Sequence, residues 1–241
     1  MQPEQAFSWA LQQRYHHSMC SLFSFRSSPE EARNLFNYRE LPNFPPREHV
    51  HPTDPIAIVR ASHDGAAEFA LVRWGFVPSW AKELRNQPLI NARAETVYEK
   101  ASFKNAIRRR RCLIPADGFY EWQDVGGPRK QAWFIHKPDQ SLFAFAGIWE
   151  HWMAPDGSVL ETAAMLTAEP NALIANIHDR SPVVVAPENF ERWLSTEERV
   201  EDLLHAPPDE FWAMETVISP RAKGKATEPR TLSPNPQSSL F

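Results

Sequence analysis

The chain has 241 residues, of which 42% are hydrophobic and 23% are charged, and its formal net charge at pH 7 is -4. This composition is typical of folded soluble domains and excludes a chain that is disordered throughout. No stretch approaches the roughly 18 consecutive apolar residues that a membrane helix needs, which excludes integral membrane classes.

Residues 1–18 predict no secretory signal, because they lack a basic start and an apolar run of roughly 7–15 residues. We therefore expect a cytoplasmic protein. The two cysteines, Cys20 and Cys112, cannot build a disulfide framework, and a reducing compartment keeps both as thiols. Each cysteine is a candidate either for chemistry or for the core.

The first part of the chain predicts one helix and one hairpin. A proline and two acids open residues 29–37 and spaced apolar positions follow, which predicts a helix. Residues 41–55 carry five prolines and predict a surface loop. Two short apolar runs, residues 56–60 and 68–73, flank the turn-forming sequence SHDG and predict a β-hairpin.

The rest of the chain predicts many short strands and a few short helices, with no regular alternation between them. The strands are expected at Arg111–Ile114, Phe119–Trp122, Ala132–His136, Leu142–Ile148, Ala163–Thr167, Val183–Val185 and Glu215–Ile218. The helices are expected at Phe103–Arg109, Asn171–Ile174, Pro187–Leu194 and Val200–Leu204. This order indicates an α+β fold, a single domain around a curved, mostly antiparallel sheet with a few short helices.

Charge is distributed unevenly along the chain. Between Lys82 and Lys130 there are eleven Lys or Arg against six Asp or Glu, and Arg108–Arg111 is a run of four arginines. Between Glu188 and Glu210, eight acids stand against two arginines. The basic segment could form one positive face that attracts phosphates. A solvated helix flank explains the same charges, and the sequence leaves both interpretations open.

Four separated segments combine polar residues with many Trp, Pro and Gly. They are WGFVPSWAKE at 74–83, INARAET at 90–96, CLIPADGFYEW at 112–122 and IHDRSPVVV at 177–185. A site built from loops at the ends of several strands collects its residues from such distant places. We therefore expect these segments to share one site.

Glu121 and His178 are candidates for proton transfer. Glu121 lies between Tyr120 and Trp122, where partial burial would raise the pKa of a carboxyl group. A strand residue that faces outward and pairs with a lysine is the alternative. His178 could be a general acid or base that Asp179 orients, and a structural histidine explains it equally well.

Asn91, Arg93 and Trp80 are candidates for ligand binding. One residue separates Asn91 from Arg93, so on an extended segment both side chains point to the same side. An amide and a guanidinium could then share one ligand, and a guanidinium fits a phosphate with two hydrogen bonds. An Asn that caps a turn beside a surface Arg is the alternative. Trp80 could stack on a base or wedge into a base step, or it could pack on the core.

His16, His17 and Cys20 resemble metal ligands in their spacing. A closed zinc site needs four ligands, however, and nothing nearby in the sequence completes the set. We therefore expect no metal site here and no cofactor elsewhere in the chain.

Together, four motifs of this sequence resemble one family. The motifs W-G-x-x-P-x-W, I-N-A-R-x-E-T, C-L-x-P-A-D-G-F-x-E-W and I-H-D-R-x-P-V-V are similar to those of the SRAP (SOS response-associated peptidase) family, whose members shield abasic sites in DNA. The resemblance implies an SRAP-like domain over residues 19–220. An N-terminal extension over 1–18, removed or not translated, would precede it, and a polar tail over 221–241, disordered toward its end, would follow it.

Three features depart from the family pattern. The family's mature protein begins with the cysteine of Met-Cys-Gly-Arg, and here the matching residues 19–22 (MCSL) lie behind eighteen extra residues. Ser21 and Leu22 replace Gly-Arg, which removes a guanidinium that the pattern would place near the DNA backbone. Residues 48–53 (EHVHPT) stand where the family usually reads close to Tyr-Asn-Ile-Ala-Pro-Thr. We therefore expect substrate affinity or preference to differ from typical members.

The resemblance implies covalent chemistry at the ring-opened aldehyde of an abasic deoxyribose. The α-amine of an N-terminal Cys20 condenses to an imine, and its thiol then closes a five-membered thiazolidine. The catalytic residues that the resemblance implies are Cys20, Asn91, Glu121 and His178. The DNA-binding residues that it implies are Trp80, Arg93, Thr167 and Arg180, and it implies no metal.

Roles follow from the same resemblance. His178 is assigned to proton shuttling, Glu121 to general acid–base work on the imine and slow release, and Asn91 to holding the amine or the sugar. Arg93 is assigned to phosphates, with Arg108–Arg111 as a weaker candidate. The expected partner is single-stranded DNA, or a junction of single and double strands, that contains an abasic site. We expect a monomer that is nucleoid-associated when it is bound to DNA.

Two other functions stay open. A cysteine peptidase or amidohydrolase would use Cys20, His178 and Glu121 as nucleophile, base and orienting residue. The family name reflects that idea, and a single self-cleavage that exposes Cys20 would also fit it. A non-covalent module would instead bind single-stranded DNA through a basic, Trp-containing groove. A mature N-terminus at Cys20 favours the crosslinking function, whereas a retained Met1 favours the others.

Overall fold

Two β-sheets carry most of the structure, a computed structural model that describes residues 20–40 and 44–220. The expected N-terminal extension, residues 1–18, and the expected tail, residues 221–241, lie outside the described residues. The strands are β1 (Phe23–Phe25), β2 (Arg47–Val50), β3 (Pro55–Ala61), β4 (Ala67–Trp74), β5 (Asn91–Arg93), β6 (Arg111–Ala116), β7 (Gly118–Gln123), β8 (Gln131–His136), β9 (Phe143–Met153), β10 (Val159–Ala168), β11 (Ser181–Pro182), β12 (Val184–Val185) and β13 (Ala213–Val217).

The helices of the described segments are short. The α-helices are α1 (Pro29–Phe36), α2 (Ala106–Arg109), α3 (Ala172–Ala175) and α4 (Phe190–Leu194). Single turns of 3-10 helix occupy Ala94–Thr96, Pro187–Asn189, Glu201–Leu203 and Asp209–Phe211. Over residues 20–40 and 44–220, no helix has the length and apolar character needed to cross a membrane.

Local sequence sets both ends of α1. The Ser28 hydroxyl accepts the N–H of Glu31 at 3.2 Å, and the Glu31 carboxylate accepts the N–H of Ser28 at 2.8 Å, which is a reciprocal capping box. Pro29 follows at the first helical position, where no donor is required. Asn37 ends the helix in the left-handed conformation, with φ of 54°. The helix predicted over residues 29–37 is therefore confirmed, one residue shorter.

Five strands close into a barrel. β10 pairs in parallel with β4 and antiparallel with β9, and β4, β3, β6 and β9 follow one another by antiparallel pairing. The ring closes because β9 and β10, with 11 and 10 residues, are long enough to pair with each other and with a second barrel strand. β5 and β11 pair with the C-terminal end of β10, and β12 pairs with β9. The expected α+β fold with a curved, mostly antiparallel sheet is confirmed.

A second sheet, in the order β13-β8-β7-β1-β2, packs against the barrel through aromatic rings. Phe23 of β1 contacts Trp74 of β4 and Phe145 of β9 edge-on, with ring centroids 5.1 and 6.0 Å apart. Phe119 of β7 lies 6.0 Å from the same Phe145 ring. All four side chains are buried. Because burial of this apolar surface holds β1 and β7 on the barrel, the residues that flank them have fixed positions.

Most predicted elements are present. The hairpin predicted from residues 56–60 and 68–73 is confirmed as β3 and β4, and the later strands are confirmed as β6 to β10, β12 and β13 with shifted ends. The α-helix predicted at Phe103–Arg109 begins only at Ala106. The segment Val200–Leu204 contains a 3-10 turn in place of the predicted α-helix.

The surface loop predicted over residues 41–55 is wrong in part. β2 occupies Arg47–Val50 and β3 begins at Pro55. The prolines flank β2 and do not interrupt it, so none of them removes a donor from its ladder with β1. Residues 41–43 lie outside the described residues.

Gly118 of β7 has no room for a side chain. A Cβ atom there would lie 2.4 Å from the Phe134 ring and 2.8 Å from the carbonyl oxygen of Ile135. We therefore expect Gly118→Ala to lower the free energy of unfolding by about 1–3 kcal/mol in urea denaturation. Gly127→Ala is the matched control, because the nearest neighbour of its Cβ atom would be 3.9 Å away. Equal stability of the two variants would contradict this packing.

Candidate active site

Cys20 and Glu121 meet where β1 begins. The backbone N–H of Cys20 donates to Glu121 Oε1. The two residues meet because β1 and β7 pair antiparallel, with Phe23 opposite Phe119. The N–H of Tyr120 also donates to the carbonyl of Leu22, the residue before Phe23, at 3.0 Å. A carboxylate therefore faces the main-chain nitrogen of a cysteine.

The Cys20–Glu121 contact is buried. Cys20 is 0% and Glu121 3% exposed. Burial, and secondly the negative charge of Glu121, raises the pKa of the Cys20 thiol well above its usual range. The thiol is therefore held in its protonated form near neutral pH. Cys20 also has φ of 47°, a left-handed conformation that is uncommon for residues other than glycine.

Asp117 fixes the other end of β1. Its carboxylate accepts the N–H groups of Arg26 and Ser27 and, at 2.5 Å, the hydroxyl of Ser27. Its own N–H donates to the carbonyl of Ser24 at 3.0 Å. Because Asp117 is also buried, these bonds hold the end of β1 firmly to the turn before β7. The segment that runs from Cys20 through β1 is thus held at both ends.

Asn91 and Arg93 lie on β5, as the extended segment predicted for them requires. β5 pairs in parallel with β10, with Asn91 opposite Met165 and Arg93 opposite Thr167. Asn91 is half-buried and Arg93 is exposed. Within residues 20–40 and 44–220, the structure gives the Arg93 guanidinium no hydrogen bond or ion pair, so its donors are available to an anion.

His178 follows α3 and has two partners at one ring nitrogen. Its Nδ1 accepts the N–H of Arg180 at 3.1 Å and lies 2.9 Å from Asp179 Oδ1. The neutral ring can therefore accept from Arg180, whereas the protonated ring can donate to Asp179. Burial lowers the pKa of His178, and the charge of Asp179 opposes that shift. Lys130 and Arg180 lower it further, so the ring is mainly neutral at pH 7.

Arg180 and Thr167 face inward in this structure. The Arg180 guanidinium donates to both carboxylate oxygens of Glu95, at 2.9 and 2.7 Å, and to the carbonyl of Thr167 at 2.7 Å. Thr167 is 2% exposed. Burial alone would raise the pKa of Glu95, but the hydrogen bonds and charge of Arg180 outweigh it and the pKa is lowered. The expectation that Arg180 and Thr167 bind DNA stays a prediction.

Trp80 is exposed on the loop after β4. Its side chain is 63% accessible, so most of the indole ring faces solvent. The loop itself is anchored, because the indole N–H of Trp152 donates to the carbonyl of Ala81 at 2.6 Å and the N–H of Ala81 donates to Pro78 at 2.9 Å. An exposed ring on an anchored loop can stack on a planar ligand.

The arginine run does not form one positive face. The Arg111 guanidinium is buried and donates to the carbonyls of Trp193 and Ile107, at 2.5 and 2.9 Å. Arg110 pairs with the buried carboxylate of Glu150 at 2.6 Å. Two of the four arginines, Arg110 and Arg111, are thus used in contacts within the fold. Only the other two arginines of the run remain as candidates for phosphate binding.

Gln123 joins the two halves of the site. It lies two residues after Glu121 on β7, and its amide donates to the carbonyl of Asn176 at 2.8 Å, two residues before His178. The indole of Trp133 donates to the Gln123 side-chain oxygen at 3.0 Å and fixes its orientation. The segment that leads to His178 is therefore hydrogen-bonded to β7, the strand of Glu121, and the shared site of the four motifs stays a prediction.

Sequence reasoning missed three residues that hold the site together: Asp117, Glu95 and Gln123. The first two lie inside the motifs CLIPADGFYEW and INARAET, and Gln123 follows the first of these directly. Their position inside or beside the motifs was the available signal. The pairing itself is tertiary, so the sequence alone did not show it. Within the described segments no group of three His, Cys, Asp or Glu could hold a metal ion, and His16 and His17 lie outside those segments.

Comparison with a family model gives a match over most of the chain. The model of the SRAP family, SOS response associated peptidase, matches residues 19–220. The four motifs lie within this range, between residues 74 and 185. The match therefore includes Cys20, Glu121 and His178 together.

Three relatives are named for the processing of abasic sites. The chain is 37% identical over 194 residues to the abasic site processing protein YoqW of Bacillus subtilis (strain 168), covering 78% of this chain and 85% of YoqW. It is 36% identical over 194 residues to the abasic site processing protein YobE of the same organism, covering 78% and 87%. It is 34% identical over 154 residues to the abasic site processing protein HMCES of Mus musculus, covering 51% of this chain and 44% of HMCES.

Solved structures share the fold. A protein from Bacteroides thetaiotaomicron superimposes with a TM-score of 0.75 at 23% identity, covering 83% of this chain and 92% of the other. A phage-related protein from Bordetella bronchiseptica superimposes with a TM-score of 0.68 at 26% identity, covering 83% and 95%. Both share the architecture described above over most of their length.

The raised pKa of the Cys20 thiol has a testable cause. Glu121→Gln removes the negative charge and keeps the size, so we expect the thiol pKa to fall while burial keeps it above its ordinary value. The measurement is the pH dependence of the ¹³Cβ chemical shift of labelled cysteine, in a Cys112→Ala background that leaves one signal. Glu188→Gln, which removes an exposed carboxylate elsewhere, should leave the titration unchanged. An unchanged or higher pKa in Glu121→Gln would contradict the charge effect.

Proposed function

The chain belongs to the SRAP family, and on that premise we propose that it captures abasic sites in single-stranded DNA as a covalent thiazolidine at Cys20. The observation that carries the proposal is the hydrogen bond between the Cys20 nitrogen and Glu121 Oε1, two residues that are both buried. Relatives named abasic site processing proteins support DNA with abasic sites as the partner. The DNA damage response is the setting that such a partner implies.

The proposed reaction needs two nucleophiles on one residue. The ring-opened sugar offers an aldehyde at C1′, and the α-amine of Cys20 adds to it and loses one water to give an imine. The thiol sulfur then bonds to the imine carbon while its proton passes to the nitrogen, which closes a five-membered ring. A thiol alone would give only a labile hemithioacetal. The net change is the loss of one water, and no oxidant or cofactor is required.

The reaction also requires Cys20 to be the N-terminal residue. Translation from Met19 followed by removal of that methionine would expose it, and so would cleavage after residue 19. The nitrogen that would become the amine already faces Glu121. A free α-amine has an ordinary pKa of about 7.7–8.0, so a neighbouring carboxylate is well suited to accept its proton.

Glu121 is proposed as the general acid and base of the condensation. It would take a proton from the α-ammonium group and return one to the hydroxyl that leaves as water. Because burial keeps the Cys20 thiol protonated, the amine reacts first and the thiol follows. Both steps are reversible, so the same carboxylate would also catalyse slow release of the DNA.

The remaining site residues are proposed to bind and to shuttle protons. His178 would accept and return protons during sugar ring opening, since its Nδ1 has a partner in either protonation state. Asn91 would hold the amine or the sugar from β5. Arg93 and Trp80 would contact the DNA backbone and a flanking base, because one is an exposed cation with available donors and the other an exposed ring. Single strands would be preferred because little stacking must be broken.

The geometry gives less support to a cysteine peptidase. Such an enzyme attacks with a thiolate, whose formation needs a lowered thiol pKa. Here burial and Glu121 raise the pKa of Cys20. A non-covalent DNA-binding module would use the same Trp80 and Arg93, and it would need no buried cysteine beside a carboxylate. The two alternatives are separated from the proposal by the crosslinking test.

The crosslink should depend on one of the two cysteines. The full-length chain is incubated with a single-stranded oligonucleotide that contains one abasic site and is analysed by denaturing electrophoresis. We expect a reductant-independent crosslink with the natural protein and with the control Cys112→Ala, since Cys112 is buried in the barrel. Cys20→Ala keeps an amine and loses the thiol, so its imine should survive only after borohydride reduction. Met1 or Gln2 at the terminus of a fully active preparation would overturn the proposal.

Glu121 should control the rates of formation and release. Glu121→Gln keeps the shape and removes the titrating proton, so both rates should fall by about 10²–10⁴-fold. Rates are measured by single-turnover crosslinking and by release after addition of excess competitor DNA. Glu188→Gln is the matched control and should match the natural protein. Natural rates in Glu121→Gln would show that this carboxylate is only structural.

A further inference from the structure

The loop between β7 and β8 carries two cations that the proposed function does not use. This β7–β8 loop spans residues 124–130 (DVGGPRK), and all of its residues are exposed. Arg129 and Lys130 are its last two residues. Among the residues that the structure describes, neither of the two side chains makes a hydrogen bond or an ion pair. Both charged groups are therefore available to an anionic partner.

Strand pairing places the end of this loop beside His178. Lys130 directly precedes β8, whose first residue lies opposite Gln123 of β7. The Gln123 amide donates to the carbonyl of Asn176 at 2.8 Å, which joins this end of the hairpin to the chain just before His178. Burial is the main cause that lowers the pKa of His178, and the positive charge of Lys130 lowers it further. The Lys130 charge thus acts on the His178 ring.

The chain around His178 connects the β7–β8 hairpin to β5. Gln123 bonds to it on the side that precedes His178, and Arg180, on the side that follows, donates to Glu95 in the turn after β5. Arg93, the last residue of β5, is exposed. Cations therefore lie at both ends of this connection, Arg93 at the β5 end and the β7–β8 loop at the other. A DNA strand has a phosphate on each side of every sugar, so a strand held at His178 can meet both cationic ends.

We propose that the β7–β8 loop is a DNA-binding element, in which Lys130 and Arg129 bind a phosphate that flanks the abasic sugar. The inference rests on the proposed function, because it takes the abasic strand as the ligand. Ammonium and guanidinium groups both bind phosphate, and such contacts position a strand without reading its bases. Binding by the loop should therefore be the same whichever base lies next to the lesion.

The affinity test compares two lysines at opposite ends of one strand. Lys130 precedes β8 and Lys137 follows it, so about 3.3 Å per residue over the six-residue strand puts them roughly 20 Å apart. Lys137 lies 3.6 Å from Asp139 and is already paired. Each is changed to Gln in the full-length chain. The probe is a single-stranded oligonucleotide that carries a tetrahydrofuran, which has no aldehyde and cannot crosslink, and its affinity is measured by fluorescence anisotropy over a series of salt concentrations.

Loss of the Lys130 charge should weaken binding and reduce its dependence on salt. We expect Lys130→Gln to bind about 3- to 10-fold more weakly, with the slope of log affinity against log salt smaller by about 0.7. Lys137→Gln should match the natural protein in both. Lys130→Arg keeps the charge and should bind like the natural protein, and the double variant Arg129→Gln/Lys130→Gln should lose more than either single change. Thermal unfolding of each variant shows that the comparison is made on folded protein.

Two results of this test would overturn the proposal. One is natural affinity and a natural salt slope in the double variant. The other is a loss of affinity with an unchanged salt slope, because a lost phosphate contact must change the number of counterions released.

A second measurement needs no DNA and so separates this inference from the proposed function. The titration of His178 is followed by ¹⁵N NMR, with its resonances assigned by their loss in His178→Gln. Removal of a nearby positive charge favours the protonated ring, so Lys130→Gln should raise the pKa of His178. Lys137→Gln should leave it unchanged. An unchanged titration in Lys130→Gln would show that the loop does not face the site and would overturn the proposal, whereas a natural protein that forms no crosslink would reject only the proposed function.

Discussion

A buried carboxylate that faces a main-chain nitrogen is the constraint on which the rest of the site depends. Glu121 is almost inaccessible to water, and a charge at that depth is costly unless polar groups satisfy it. Its oxygen accepts the N–H of Cys20, so the carboxylate and the start of β1 stay together. Asp117 uses the same kind of contact at the other end of β1. The cysteine is thereby held by its backbone, which leaves little freedom in where its nitrogen lies.

The other half of the site is organised by side chains that cross between short elements. The barrel supplies a long, rigid β10, and the residues proposed to handle protons and phosphates lie on short segments beside its end. Arg180 and Gln123 link these segments to one another and to β7. The barrel therefore fixes where the short segments lie, and a few side-chain hydrogen bonds fix the positions of the residues on them. This arrangement is expected when functional groups lie on loops of a rigid scaffold.

Much of the frame and of the site was accessible from sequence. Alternating or continuous apolar runs predicted the β3–β4 hairpin and the longer strands, because such runs have enough residues to show a period. β1, β5 and β11 have two or three residues and show none, and β2 is hidden among prolines. Motif matching selected both Cys20 and Glu121, and the structure places them in contact, while the role of His178 stays a prediction. The burial of Arg111 and the pairing of Arg180 with Glu95 depend on tertiary neighbours, so charge counting could not show them.

The left-handed backbone at Cys20 bears on the proposed start of the chain at this residue. A φ of 47° is costly for a residue that carries a Cβ atom. The angle φ exists only where a peptide bond precedes the residue. In a polypeptide that begins at Cys20, as proposed, the angle and its cost would be absent, so a chain terminus would occupy this position without an unfavourable rotation.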